Sequence, residues 1–252
     1  MLKYVPKIVV FDGGLGNQLF QLNYCLYLRN RDFNVIIDIS KFDNHKIHEG
    51  ALIESILDLD FKVVSLYYRR STLGLTLRSV DRFLGFMSFR RIFEIGYFQK
   101  LSYFDGSDFK NYFWSNYLLE KKAVSNKSLG VHFRRGDFSH DNNHVLLDTK
   151  YYKKGIKHLG ASSVVIYTDD IECARRELIN SESFRLGTDS NSNALNDFNN
   201  LMSHEYLLIA NSSFSWMAAY LGDNKTVIAP KQWYYSLDDQ DDAPRPHDWI
   251  YL

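Results

Sequence analysis

Cysteine is almost missing from this 252-residue chain: Cys25 and Cys173 stand far apart, in no CxxC pair and with no Cys/His spacing suited to zinc. Neither a disulfide framework nor a structural metal is expected. No apolar run reaches the ~18 to 20 residues needed to cross a bilayer, and the few apolar residues ahead of Asp12 are too short a stretch for a secretory signal. The chain is therefore expected in the cytoplasm. Net charge is absent as well, 30 basic residues cancelling 30 acidic ones. No global field would recruit nucleic acid or an anionic membrane, so any anion site must be local. The phosphate-loop ending GK[ST] does not occur, and the GxGxxG fingerprint breaks at Leu19. ATP and NAD are thereby disfavoured.

What the chain holds is apolar material, 45% hydrophobic and 15% aromatic residues, enough for one large core or two smaller ones. Residues 7–11 read as a buried strand, Gly13, Gly14 and Gly16 as a tight turn, 17–29 as a helix and 34–39 as a second strand. That unit implies a parallel sheet with right-handed crossovers. The pattern restarts after the polar stretch 120–128, with strands predicted at 129–133, 163–168, 206–210 and 226–229, helices at 151–159, 171–179, 194–202 and 214–221, and an irregular tail around the 238–242 acidic run. The fold class expected is α/β, two Rossmann-like domains facing across a cleft, residues 1–122 and 123–252. Segment 67–109 interleaves Tyr67, Tyr68, Phe83, Phe86, Phe89, Phe93 and Tyr97 with Arg69, Arg70, Arg78, Arg82, Arg90 and Arg91. It reads as helices with aromatics facing the core and arginines snorkelling; the alternative is a surface lying on a membrane or a lipid-linked acceptor.

Four motifs carry chemistry. GGLGNQ sits at a strand-to-helix turn, where glycines let backbone approach a ligand and helix N–H groups face an anion. A tightly packed turn would explain the glycines equally well, but Asn17 and Gln18 place amides where packing prefers apolar groups. VHFRRGDF sets Arg134 and Arg135 just past a buried strand, at the edge where ligands bind in open α/β sheets. Guanidinium forks grip phosphates bidentately; Gly136 permits a sharp turn, and Asp137 can hold one arginine. A surface Arg–Asp pair is the competing reading. YTDD, with Asp169 and Asp170, fits a metal site, hydrogen bonds to sugar or ribose hydroxyls, or N-capping of the next helix, and capping with loop orientation is preferred over metal. IANSSFSW offers Asn211, Ser212 and Ser213 ahead of Phe214 as a second anion or ribose cradle. His132 reads as a core hydrogen-bonding residue more than a base.

GGLGNQLFQ at 13–21, HFRRGDF at 132–138, YTDD at 167–170, and LMS followed by LIANSSFSW within 201–216 resemble, in order and spacing, the bacterial α-1,2-fucosyltransferases. The resemblance implies a GT-B fold, GDP-fucose as donor, inversion at the fucose anomeric carbon, and no cofactor or metal. It makes residues 1–122 the acceptor side and 123–252 the GDP-fucose-binding domain. Arg135 would engage the donor diphosphate, with Arg134 and Asp137 shaping that site; Arg135 and Asp137 form the catalytic pair. The donor-binding set is Gly14, Gly16, Asn17, Gln18, His132, Arg134, Asp169, Asp170, Asn211, Ser212, Ser213 and Phe214. The implied partner is an oligosaccharide or lipid-linked glycan acceptor of galactose type, in surface polysaccharide assembly, which also leaves room for peripheral contact with the cytoplasmic membrane. Asp137, Asp141 and His144 are the candidate bases, and pairing with arginine would weaken Asp137 in that role. The chain departs from the pattern at His204-Glu205-Tyr206, where relatives carry Cys-Lys-His, and at Met217, where they carry Trp. A different linkage, or an inactive nucleotide-sugar-binding module, are the alternatives.

Overall fold

The computed structural model describes residues 6–43, 50–68, 72–86, 92–122, 125–136, 143–179, 183–189, 193–236 and 244–252. Its contacts divide the chain into two compact units, Met1–Leu119 and Glu120–Leu252.

The first unit runs β1 (Lys7–Val10), α1 (Leu15–Arg29), β2 (Val35–Asp38), α2 (Ile53–Ile56), β3 (Lys62–Val64), α3 (Thr72–Phe86), β4 (Phe93–Ile95), a 3-10 turn at Leu101–Tyr103 and α4 (Phe109–Asn116). Its strands lie in the order β3-β2-β1-β4, every pair parallel. Burial on both faces explains why β1 is KIVV throughout instead of alternating. The carboxyl edge of this sheet is set by a buried acid: Asp38, at the end of β2, accepts the backbone N–H groups of Ser40, Leu66 and Tyr67. These three bonds fold the loop after β3 back over the sheet edge.

The second unit runs β5 (Ser125–Phe133), α5 (Thr149–Leu159), β6 (Ser163–Thr168), α6 (Ile171–Glu177), β7 (Phe184–Leu186), α7 (Ala194–Met202), β8 (His204–Leu208), α8 (Ser213–Leu221), β9 (Thr226–Ala229) and β10 (Ile250–Tyr251). The sheet is parallel throughout, ordered β7-β6-β5-β8-β9-β10. Winding proceeds outward one way from β5 and then the other way from β8, the doubly wound Rossmann order with its switch point between those strands. Val131 of β5 stands level with Ile166 of β6 and Leu208 of β8, and all three are fully buried in one cluster with Phe133, Tyr152 and Ile228.

The predicted helices and long strands appear, with ends shifted by up to four residues. Four short strands were not anticipated. β3, β4 and β7 have three residues each and β10 two, too few to show a period of two; β4 lies inside the segment 67–109 that read as helices, and β10 follows the acidic run read as an irregular tail. Each is recruited by a longer neighbour.

The departure at His204 also has a local basis. Its ring fills the space above Gly130, where an added Cβ would come within 2.7 Å of the imidazole. Its two nitrogens hydrogen-bond Ser128 Oγ and the Tyr167 hydroxyl, each at 2.9 Å. Burial lowers its pKa to about 4, leaving the ring neutral and structural.

Candidate functional site

The motifs of the second unit converge on the carboxyl ends of β5, β6 and β8, on both sides of the switch point. Past β5 the chain places Arg134, Arg135 and Gly136 opposite Asp169, the residue just past β6. One Asp169 oxygen accepts the Arg135 backbone N–H at 2.9 Å, and the other pairs with the Arg134 guanidinium at 3.0 Å. Gly136 is dictated by this clasp, since a Cβ there would stand 2.4 Å from an Asp169 oxygen. Asp169 therefore orients the arginine loop, the loop-orienting role preferred for YTDD.

The two arginines differ. Arg135 is only 8% exposed. Its guanidinium lies 4.1 Å from the centre of the Phe133 ring and pairs with Glu177, two turns into α6, at 3.1 Å. Glu177 also accepts Thr149 Oγ1 at 3.0 Å and the Cys173 thiol at 3.1 Å. Burial works against its charge, but the hydrogen bonds from Cys173, Arg135 and Thr149 and the Arg135 charge prevail and hold its pKa down to about 2. The Arg134 side chain is 24% exposed. Arg135 was expected to meet the diphosphate directly; the structure buries its guanidinium against Phe133 and Glu177 and leaves the Arg134 side chain, paired with Asp169, the more exposed of the two. Asp137, expected to hold an arginine, lies outside the described residues, as does Asp141. Among the described residues the carboxylates that hold the pair are Asp169 and Glu177.

Two further residues of the expected donor-binding set make structural hydrogen bonds, Asp170 in the capping role preferred for it and Asn211 in one not foreseen. Asp170 caps α6, its carboxylate accepting the Cys173 N–H at 2.9 Å. Asn211 is 2% exposed, and its amide donates to the carbonyls of Val145 at 2.8 Å and Trp233 at 2.9 Å, tying three loops together. Ser212 is the N-cap of α8, with Ser213 and Phe214 opening that helix half-buried, so the unpaired N–H groups of its first turn lie at the carboxyl end of β8, next in the sheet to β5. His132, buried on β5, packs 5.4 Å from the Phe214 ring. Its Nδ1 has no partner among the described residues, contrary to the expected core hydrogen bond. Burial, aided by Arg134, lowers its pKa to about 3.

In the first unit the glycine loop follows β1. Gly13 has φ +78°, and a Cβ there would lie 2.5 Å from Asn17 Nδ2, so this position demands glycine. Gly14 is the extended N-cap of α1 and Gly16 is buried in its first turn. Gln18 is fully buried and donates to the carbonyls of Gly13 and Gly50, both at 2.9 Å, while accepting the Ile53 N–H at 3.0 Å. Both its N–H groups are spent on bracing the loop. Asn17, half-buried, accepts from Gln99 at 2.9 Å. At the same sheet edge Asp12 pairs with Lys41 and hydrogen-bonds Tyr97.

The sequence reasoning missed Glu177, Thr149, Asp12, Lys41 and Tyr97. Glu177 carried one usable signal, its position seven residues after the capping Asp170, on the helix that begins at the arginine loop's partner. Lys41 and Tyr97 carried none, because they reach Asp12 only through the parallel pairing of β1 with β2 and β4. Among the described residues no group of three or more His, Cys, Asp or Glu could hold a metal ion. No helix among them is long and apolar enough to cross a membrane.

Comparison with known proteins agrees with this architecture. An Escherichia coli protein named alpha-1,2-colitosyltransferase is 26% identical over 281 aligned residues, covering 94% of this chain and 96% of its own length. The Escherichia coli O-antigen biosynthesis glycosyltransferase WbnK is 28% identical over 131 residues, 46% of this chain and 43% of its own. Among solved structures, NodZ alpha-1,6-fucosyltransferase soaked with GDP-fucose superposes with a TM-score of 0.53 at 12% identity, covering 86% of this chain and 93% of that one. The Escherichia coli heptosyltransferase WaaC with ADP gives 0.53 at 10% identity, covering 98% and 92%. The fold is GT-B, an α/β architecture of parallel sheets. With its family model matching residues 76–252, well over half of the sequence, the chain belongs to glycosyl transferase family 11.

Proposed function

We propose that this glycosyltransferase moves fucose from GDP-fucose onto the 2-hydroxyl of a galactose-type acceptor, with inversion, in surface polysaccharide assembly. The observation that carries the reading is the arginine pair at the β5/β8 switch point, clasped by Asp169 and Glu177 and flanked by the N-terminus of α8. Transfer requires charge to be stabilised on the departing diphosphate as the glycosidic bond breaks. A guanidinium never loses its charge, and helix N–H groups add partial positive charge without a proton. In this reading Arg134 meets the diphosphate, Arg135 supports it from beneath, and no metal is required. Inversion follows from direct attack by the acceptor hydroxyl on the face opposite the nucleotide, a base taking its proton. The relatives named for α-1,2 transfer and for O-antigen biosynthesis support the linkage and the setting.

One relative is named for colitose, which is fucose lacking its 3-hydroxyl, and this favours a second reading in which GDP-colitose is the donor. The deciding experiment incubates the protein with GDP-fucose or GDP-colitose and a panel of galactosides, with EDTA present, followed by linkage analysis. A 1→2 fucosylated galactoside formed despite chelation is expected. Transfer of colitose alone supports the second reading, and GDP binding with no transfer of either sugar refutes both. Arg134→Ala should abolish GDP binding, while Arg135→Lys, which keeps the charge but not the fork to Glu177, should weaken it.

A further inference from the structure

Helix α3 is fixed to the first unit by one side and turns the other outward. Gly74 and Asp81 are buried and Leu77 packs on the cluster of Ile8, Val10 and Phe93. The Asp81 carboxylate accepts the backbone N–H groups of Ile92 at 2.9 Å and Phe93 at 3.1 Å, and Arg78 donates to the Tyr67 carbonyl. At 3.6 residues per turn, Leu75, Thr76, Ser79, Val80, Arg82 and Phe83 fall on the opposite face, and all six are exposed. Leu75 is 59% exposed, Val80 44% and Phe83 63%. A single exposed leucine is ordinary. Three large apolar side chains on one helical face, with two hydroxyls, one arginine and no acid between them, form a surface that water solvates poorly.

Charge identifies what would cover it. Residues 69–91, which contain the helix, hold six arginines and one acid, Asp81, and that acid is spent inward on β4. Over the whole chain 30 basic and 30 acidic residues cancel, so this stretch of the sequence carries a local excess of positive charge. Its complement has negative charge at the surface and hydrocarbon beneath. A second copy packed α3 against α3 would set the exposed Arg82 against its own symmetry mate. We infer that α3 docks the protein on an anionic phospholipid bilayer, with the helix in the interfacial plane, Leu75, Val80 and Phe83 entering the acyl boundary and Arg82 at the phosphates.

The test is co-sedimentation of the full chain with vesicles of phosphatidylglycerol and phosphatidylethanolamine, and separately of phosphatidylcholine, across a salt series. The protein should partition onto the anionic vesicles, less onto the neutral ones, and less as salt rises. Leu75→Ser with Phe83→Ser should lower partitioning at least about ten-fold, and Arg82→Ala about five-fold. GDP binding by calorimetry, a property assigned to the second unit, should be unchanged in both variants and reports that they are folded. Equal binding to both vesicle types, no binding, or full partitioning by the folded double variant would overturn the proposal. So would a concentration-dependent dimer that the double substitution dissociates, because the face would then be covered by a second copy.

Discussion

Replacing Glu177 by glutamine removes one charge from the arginine clasp while keeping the side chain's shape. The lowering of its pKa from 4.5 to about 2 corresponds to a ceiling of about 3 kcal/mol, at about 1.4 kcal/mol per unit. The side chain is 28% exposed, so solvent screens part of this, and glutamine retains an acceptor oxygen. A loss of about 2 kcal/mol at pH 7 is expected, or ~4 to 8 °C in the melting temperature for a chain of this size. The sign follows from the depressed folded-state pKa. The stabilisation is complete above the unfolded carboxylate's value and is lost as pH falls through the folded one. The gap between wild type and Glu177→Gln should therefore be constant from pH 8 to 5.5 and shrink by about a third to a half at pH 3.5. Thermal melts of both proteins across that range read it directly. A gap under ~1 °C at neutral pH, or one that does not narrow in acid, would show that the pair does not hold Arg135. GDP affinity measured alongside should fall several-fold, because an untethered Arg135 no longer supports its neighbour.

Gly136→Ala forces a methyl group against Asp169, where the gap is 2.4 Å; calorimetry should show GDP binding lost, and binding at wild-type strength would refute the clasp. Gln18→Ala strands the Gly13 and Gly50 carbonyls and the Ile53 N–H, costing about 2 to 3 kcal/mol in urea unfolding while the folded protein keeps its affinity for GDP. A change in affinity without a change in stability would return Gln18 to the ligand. Two neutral buried histidines, His132 with its pKa lowered to about 3 and His204 to about 4, make the unfolded chain the better proton acceptor below about pH 6.5. Stability should therefore fall as pH drops from 6.5 toward 4, and His204→Gln should flatten part of that slope. A melting temperature constant over this range in the wild type would count against both burials.

Much of the fold was legible in the sequence because parallel α/β units announce themselves locally. Buried strands such as Lys7–Val10 and Ser163–Thr168 are continuous apolar runs, glycine turns and capping residues stand at their ends, and the helices between carry their own period. Chain order also placed Arg134, Arg135, Asp169 and Ser212 at strand carboxyl ends, which in a doubly wound sheet is where a ligand site forms. Which of these side chains faces a ligand was not legible. Adjacent arginines point to different sides of an extended segment, and only the packed structure shows that Arg135 turns onto Phe133 and Glu177 while Arg134 pairs with Asp169 and stays the more exposed. Likewise Gln18 and Asn211 read as ligand amides, because the carbonyls they satisfy belong to loops 32 and 66 residues away. Sequence determined the longer elements to within a few residues, since those depend on neighbours close in the chain, whereas the shortest strands formed only where the fold supplied a partner. Tertiary structure decided the roles of the polar side chains, since a buried donor or acceptor takes whatever partner the fold brings to it.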